Sequence, residues 1–104
     1  MKKESKFQND IIHSIKCRCP NCMILKNDPN YIQGIPDLTI FYKDRWATLE
    51  VKRSKEDYLK SVKTNKNQKF YVDKMNEMSF SRYIYPENEK EVLDDLEQSL
   101  KRGS

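Results

Sequence analysis

Two apolar runs, Leu38 to Tyr42 and Trp46 to Leu49, are separated by Lys43, Asp44 and Arg45. Short runs rich in β-branched and aromatic residues, broken by a few polar ones, read as a β-hairpin. The hairpin constrains the chain most because it decides which side chains can share a face. Gly34-Ile35-Pro36-Asp37 leads into it and Glu50-Val51-Lys52 leads out, with twelve residues between Asp37 and Glu50. Side chains alternate along a strand, so Glu50 and Lys52 point the same way, roughly 7 Å apart. Directly opposed residues of an antiparallel pair also share a face. A two-residue turn at Lys43-Asp44 pairs Tyr42 with Arg45 and puts Asp37 opposite Glu50. A turn at Asp44-Arg45 puts Asp37 opposite Lys52. A three-residue loop sends Asp37 to the other face unless a bulge corrects the register.

The second face of the hairpin carries Leu38, Ile40, Ala47, Leu49 and Val51, an apolar surface for a covering helix. Gly34 permits a positive φ or a close backbone approach, and Pro36 fixes φ just before the acid. Two carboxylates and an amine gathered at one end of a hairpin suit a divalent cation and an attacking water. The plain alternative for each piece is a turn, a polar strand end and a solvated lysine; the combination at this spacing favours the metal site.

The string Pro36-Asp37, then Glu50-Val51-Lys52 at the end of the next strand, resembles the PD-(D/E)XK nuclease signature. The fuller string Gln33-Gly34-Ile35-Pro36-Asp37-Leu38, with Gln68 downstream, is similar to the viral-type replication-repair nuclease (VRR-NUC) family, and the chain from Glu4 to about Leu100 resembles its small phage-type members. The resemblance implies an α/β (α+β) restriction-endonuclease-like core in the order α-β-β-β-α-β. It implies a Mg²⁺- or Mn²⁺-dependent endodeoxyribonuclease leaving a 5′-phosphate and a 3′-hydroxyl. Hard oxygen ligands suit those ions. Asp37 and Glu50 are the expected metal ligands, with the carbonyl of Val51 as a third oxygen and Glu4 as a further carboxylate from the first helix. Lys52 is the expected catalytic amine, and Gln68 a partner to it or to a phosphate. Gln33 fits the motif but reads as a turn residue.

The rest of the chain agrees with that order. Phe7, Ile11, Ile12 and Ile15 predict a helix over 5–16, with Ser5 and Gln8 as a capping box. Met23 to Leu25 is a strand candidate and Asn27-Asp28-Pro29-Asn30 a turn. Residues 53–65 show no clean period and read as a mobile loop. A helix from Asn65 or Asn67 to about Met78 presents Tyr71, Met75 and Met78, with Val72 beside them. Phe80 to Tyr85 is a strand that Pro86 stops. A last helix from about Glu89 to Leu100 carries Val92, Leu93, Leu96 and Leu100, with Asn88 as its N-cap and Glu91 three residues on. Phe41 and Trp46 flank the turn as core or edge aromatics, and Tyr83 and Tyr85 fit the strand. Residues 1–101 thus form one nuclease-like domain, and Arg102-Gly103-Ser104 reads as a tail or cloning remnant.

At 104 residues, with 37% hydrophobic and 35% charged, the expected body is a thin two-layer one. No apolar run is long enough to span a membrane and Met1-Lys2-Lys3-Glu4 does not resemble a signal peptide, so a cytoplasmic protein (of a bacterial host, if phage-encoded) is expected. The net charge of +4 is unevenly spread. Lys52 to Lys74 holds eight Lys/Arg against three acids, and Glu87 to Glu97 six acids against one lysine. The basic segment can follow a phosphate backbone, while the acidic one is expected to face away.

His13, Cys17, Cys19 and Cys22 raise a rival reading, structural zinc. All four lie within ten residues, which strains a tetrahedral site, and an odd number of cysteines precludes a complete disulfide framework. The leading expectation is therefore a DNA endonuclease, structure-selective on branched DNA such as a four-way junction. It is expected to act as a homodimer, because two cuts need two sites. A non-catalytic nucleic-acid-binding module, or a nuclease directed by a partner protein, is the alternative, and a zinc-stabilised interaction protein the third class.

Overall fold

The computed structural model describes residues 4–102; Met1–Lys3, and Gly103-Ser104 of the expected tail, lie outside the described residues. The elements run α1 (Glu4–Arg18), β1 (Met23–Lys26), β2 (Leu38–Tyr42), β3 (Arg45–Val51), α2 (Lys55–Thr64), α3 (Lys66–Met78), β4 (Ser81–Ile84), a 3₁₀ turn (Pro86–Asn88) and α4 (Glu89–Lys101). This is an α+β domain around a four-stranded mixed sheet in the order β1-β2-β3-β4. The first three strands are antiparallel neighbours and β4 joins β3 in parallel, reached through α2 and α3. The succession matches the expected α-β-β-β-α-β plus a C-terminal helix, with one helix more.

The hairpin turn is the two-residue one. Tyr42 pairs with Arg45 and Leu38 with Leu49. Lys43 adopts φ 57°, the sign that primed hairpin turns require at their first central position. Parity then follows: Leu38, Ile40, Ala47, Leu49 and Val51 are all fully buried. Phe7, Ile11 and Ile15 of α1 and Val92, Leu93, Leu96 and Leu100 of α4 close over that face in one core. Ile12 packs at the edge of this core. Arg18 bridges Asp94 at 2.7 Å and Glu97 at 3.3 Å, tying the end of α1 to the acidic helix.

The opposite face departs from the two-layer expectation. Here α3 lays Val72 and Met75 against β3 and β4, where the Thr48 hydroxyl donates to Ser81 Oγ at 2.7 Å and contacts Met75 Sδ at 3.5 Å. The body is three layers thick at the β3–β4 end. At the β1–β2 end Met23, Leu25 and Phe41 stay exposed, so Phe41 is an edge aromatic.

Four local expectations need correction. Residues 53–65 hold α2, not a loop: Ser54 caps it by accepting from the Asp57 amide at 3.1 Å, and Glu56 and Asp57 complement the dipole of its first turn. Its only buried residue is Ser61, which is why no apolar period marks it. Helix α1 includes Glu4, so Ser5 lies inside the first turn and is no N-cap. The buried face of α3 centres on Val72, and Met78 is exposed. Asn88 does not cap α4; its side chain accepts from the Tyr85 amide at 2.8 Å and donates to the Tyr83 carbonyl at 3.1 Å, bracing the end of β4 instead.

Candidate active site

The register places Asp37, one residue before β2, across from Glu50. The Asp37 carboxylate accepts the Val51 amide at 2.8 Å, which extends the hairpin ladder by a side chain. A strand residue directs its N–H and C=O toward the same neighbour. The Val51 carbonyl therefore faces the Asp37 side. Strand register thus brings the two carboxylates to one end of the hairpin, with the Asp37 side chain bonded to the Val51 backbone.

The loop before Asp37 is held from two directions. Asn27 donates through its side chain to the Pro36 carbonyl at 2.9 Å and to Thr39 Oγ1 at 2.8 Å, while its amide reaches the Asp37 carbonyl at 2.8 Å. Gly34 takes φ 91° and lies so close to α3 that a Cβ there would fall 2.6 Å from Asn67 Cβ and 2.8 Å from its carbonyl carbon. The glycine thus answers both possibilities raised by the sequence, the positive φ and the close approach. The approach docks the Pro-Asp loop against the first turn of α3, which carries Gln68; Gln33 beside it is exposed.

Lys52 is held, not solvated. Its Nζ donates to Gln68 Oε1 at 2.9 Å and stands 3.5 Å from Glu50 Oε2. The same Gln68 oxygen accepts Ser61 Oγ at 2.7 Å, and the Gln68 amide is capped by Asn65 Oδ1 at 3.2 Å. Sequence reasoning misses Ser61 because its segment reads as a loop; the signal that could have found it is the Ser54-x-x-Asp57 cap that opens α2.

Glu50 is the electrostatic centre. It is 3% exposed, and its Oε1 is buried with no hydrogen-bond partner among the described residues. Burial first, then the nearby Asp37, pushes its carboxyl up to about 8, against the pull of Lys52. Asp37 is raised by burial as well, opposed by the Val51 amide and Lys52. Glu4 stands at the exposed start of α1, yet partial burial and then Asp37 raise its carboxyl, so it lies within electrostatic reach of the pair. Among the described residues no three His, Cys, Asp or Glu side chains close into a metal cage. Glu4 is therefore near the pair without completing a three-carboxylate set. A buried carboxylate oxygen with no partner, beside a second carboxylate that disfavours its charge, is what a divalent cation with oxygen ligands would satisfy.

The cysteine cluster does not form. His13 and Cys17 meet at 3.8 Å on the exposed side of α1, but Cys19 is buried in the core and Cys22 packs at its margin. Burial raises both thiols. Among the described residues no helix is long and apolar enough to cross a membrane. Comparison with protein-family profiles, with curated proteins and with solved structures finds no match to this chain.

Proposed function

We propose that the protein is a metal-dependent DNA endonuclease that hydrolyses phosphodiester bonds. The observation that carries this reading is the convergence of Asp37, Glu50 and a held Lys52 on one sheet face, with Glu50 Oε1 buried and unpartnered among the described residues. Asp37, Glu50 and the Val51 carbonyl would hold one Mg²⁺ or Mn²⁺, with Glu4 within electrostatic reach of the pair. When bound, that ion supplies charge neutralisation at the phosphate and acidifies water.

The chain's own groups do the rest. Lys52 Nζ orients the attacking water through a hydrogen bond and offsets the charge that builds on the phosphoryl oxygens. Gln68, fixed by Ser61, keeps Nζ aimed at the site. Water adds to phosphorus, the P–O3′ bond breaks, and the products carry a 5′-phosphate and a 3′-hydroxyl. Basic α2 and α3 flank the site, and Lys60, Lys63 and Lys66 make no ion pair among the described residues, so they are available to phosphates. The acidic α4 lies across the sheet, where it does not repel DNA.

A branched substrate and a C2 homodimer are part of the proposal: one small domain covers little DNA, and paired cuts need paired sites. A DNA substrate of this kind also fits a cytoplasmic setting. The test is cleavage of labelled four-way junction, flap, nicked and plain duplex DNA in Mg²⁺, Mn²⁺ or EDTA. Metal-dependent cutting that Lys52→Ala abolishes supports the nuclease. Tight binding with no cutting in either metal would leave a binding module.

A further inference from the structure

Beside the candidate site, between α2, α3 and β4, lies a cavity of about 290 Å³. Its walls include Tyr58, Tyr83, Tyr85 and Val62, with Lys69 and Arg82 also bordering it. Tyr58 meets Tyr83 edge-on at 4.9 Å and stacks on Tyr85 at 5.1 Å, forming an aromatic wall. Tyr83 is the β4 residue in register with Glu50 across the parallel pair, so neighbouring strands, about 4.8 Å apart, carry the catalytic carboxylate and the cavity wall.

One wall atom is left without a partner. Tyr83 is nine-tenths buried and its hydroxyl makes no hydrogen bond among the described residues. Buried hydroxyls normally find a partner, because leaving one unpaired is unfavourable. Burial first, and then the charges of Glu50 and Asp73, keep the Tyr83 hydroxyl protonated. It is therefore a donor without an acceptor among the described residues, enclosed by the surrounding side chains of the wall.

We propose that this cavity receives one unpaired nucleobase of the DNA strand whose backbone lies at the metal site, stacked against the tyrosine wall. The inference rests on the nuclease reading for the position of the strand, and it makes structure selection specific. Paired bases in a continuous duplex are not available to the cavity, whereas a base at a branch, bulge or flap is. At about 290 Å³ the cavity lies at the small end of ligand pockets, which run roughly 300–1,000 Å³, a size compatible with a single base. Aromatic stacking accommodates any base, so the cavity selects an unpaired state over a particular sequence. Lys69 is already paired with Asp73 at 2.6 Å and Arg82 lies over the Phe80 ring, so the adjoining phosphates are left to Lys60, Lys63 and Lys66.

The test uses the full chain in EDTA, where nothing is cut, and a duplex with one unpaired 2-aminopurine at a bulge. An otherwise identical duplex carries an abasic site there. The expected result is roughly tenfold tighter binding of the base-containing duplex, with a change in 2-aminopurine emission. Val62→Trp, which fills the cavity, is expected to bring that affinity down to the abasic value. Equal affinity for the two duplexes, or no binding of either, overturns the proposal. So does capture of free deoxyadenosine, followed by tyrosine fluorescence, with no base dependence in the duplex. Cleavage in Mg²⁺ is scored separately: cutting without base dependence removes the cavity inference alone, and base-dependent binding without cutting removes the nuclease reading alone.

Discussion

Replacing Glu50 by glutamine should stabilise the metal-free protein at alkaline pH while abolishing cleavage. Glu50 rises from an ordinary value of 4.5 to about 8 because burial and Asp37 disfavour its charge. A carboxyl whose folded pKa is raised favours the native state only while it is protonated. Its contribution is fully present below pH 4.5 and is lost as pH climbs through about 8. At ~1.4 kcal/mol per unit, the whole loss is roughly 5 kcal/mol, a large share of the about 5–15 kcal/mol that holds a small domain together. The Glu50→Gln side chain has the same shape and no charge to bury, and Lys52 keeps its bond to Gln68 in the variant. Urea unfolding in EDTA from pH 5 to 9 measures the effect. The two proteins should have similar midpoints at pH 5. By pH 9 the variant should unfold about 2 M higher, given slopes on the order of 1–3 kcal/mol per M. Mg²⁺ should restore much of the wild-type midpoint at pH 8 to 9 and leave the variant unmoved, because only the carboxylate gains a counter-charge. Parallel midpoints across the pH range, or a wild type that gains on the variant as pH rises, would refute the buried-charge account of this site.

Three further outcomes follow from other contacts in the fold. Gly34→Ala should cost about 2–4 kcal/mol, combining an unfavourable positive φ with a clash against backbone at the start of α3; chemical denaturation reads it, and a loss under about 0.5 kcal/mol would mean the loop does not dock there. Gln68→Leu removes the acceptor shared by Lys52 and Ser61, so kcat should fall about 10–100-fold with DNA affinity within a few-fold; Ser61→Ala should fall less, and an unchanged kcat in Gln68→Leu would end the positioning role. A strong zinc chelator should leave the melting temperature unchanged, whereas Cys19→Ser, which puts a hydroxyl into the core, should lower stability by about 1–3 kcal/mol; chelator-induced unfolding would revive the zinc reading.

The parts of the site legible in sequence are those that strand geometry dictates. Parity along Leu38–Tyr42 and Trp46–Leu49, plus one choice of turn length, is enough to put Asp37 opposite Glu50 and five apolar residues on the reverse face. The turn itself is undetermined by sequence, since nothing in Lys43-Asp44-Arg45 announces which residue takes the positive φ; a lysine does, where glycine or asparagine is usual. What the sequence hides is α2. Most helices betray themselves by an apolar stripe, but the one buried residue of α2 is Ser61, and the helix reaches Tyr83 of β4, and Tyr85 just beyond it, through half-buried Tyr58. A helix whose inward contacts are a hydroxyl, a tyrosine and a single valine reads as a polar loop to any hydrophobic count. Its work is nonetheless central to the proposal. Ser61 fixes the oxygen of Gln68 that holds Lys52, and Tyr58 lines the cavity beside Glu50. One short polar helix thus joins the amine of the reaction to the wall proposed to select the unpaired base. A substitution on its inward face should therefore alter turnover and substrate preference together, while one on its exposed lysines should weaken binding evenly and reduce its salt dependence.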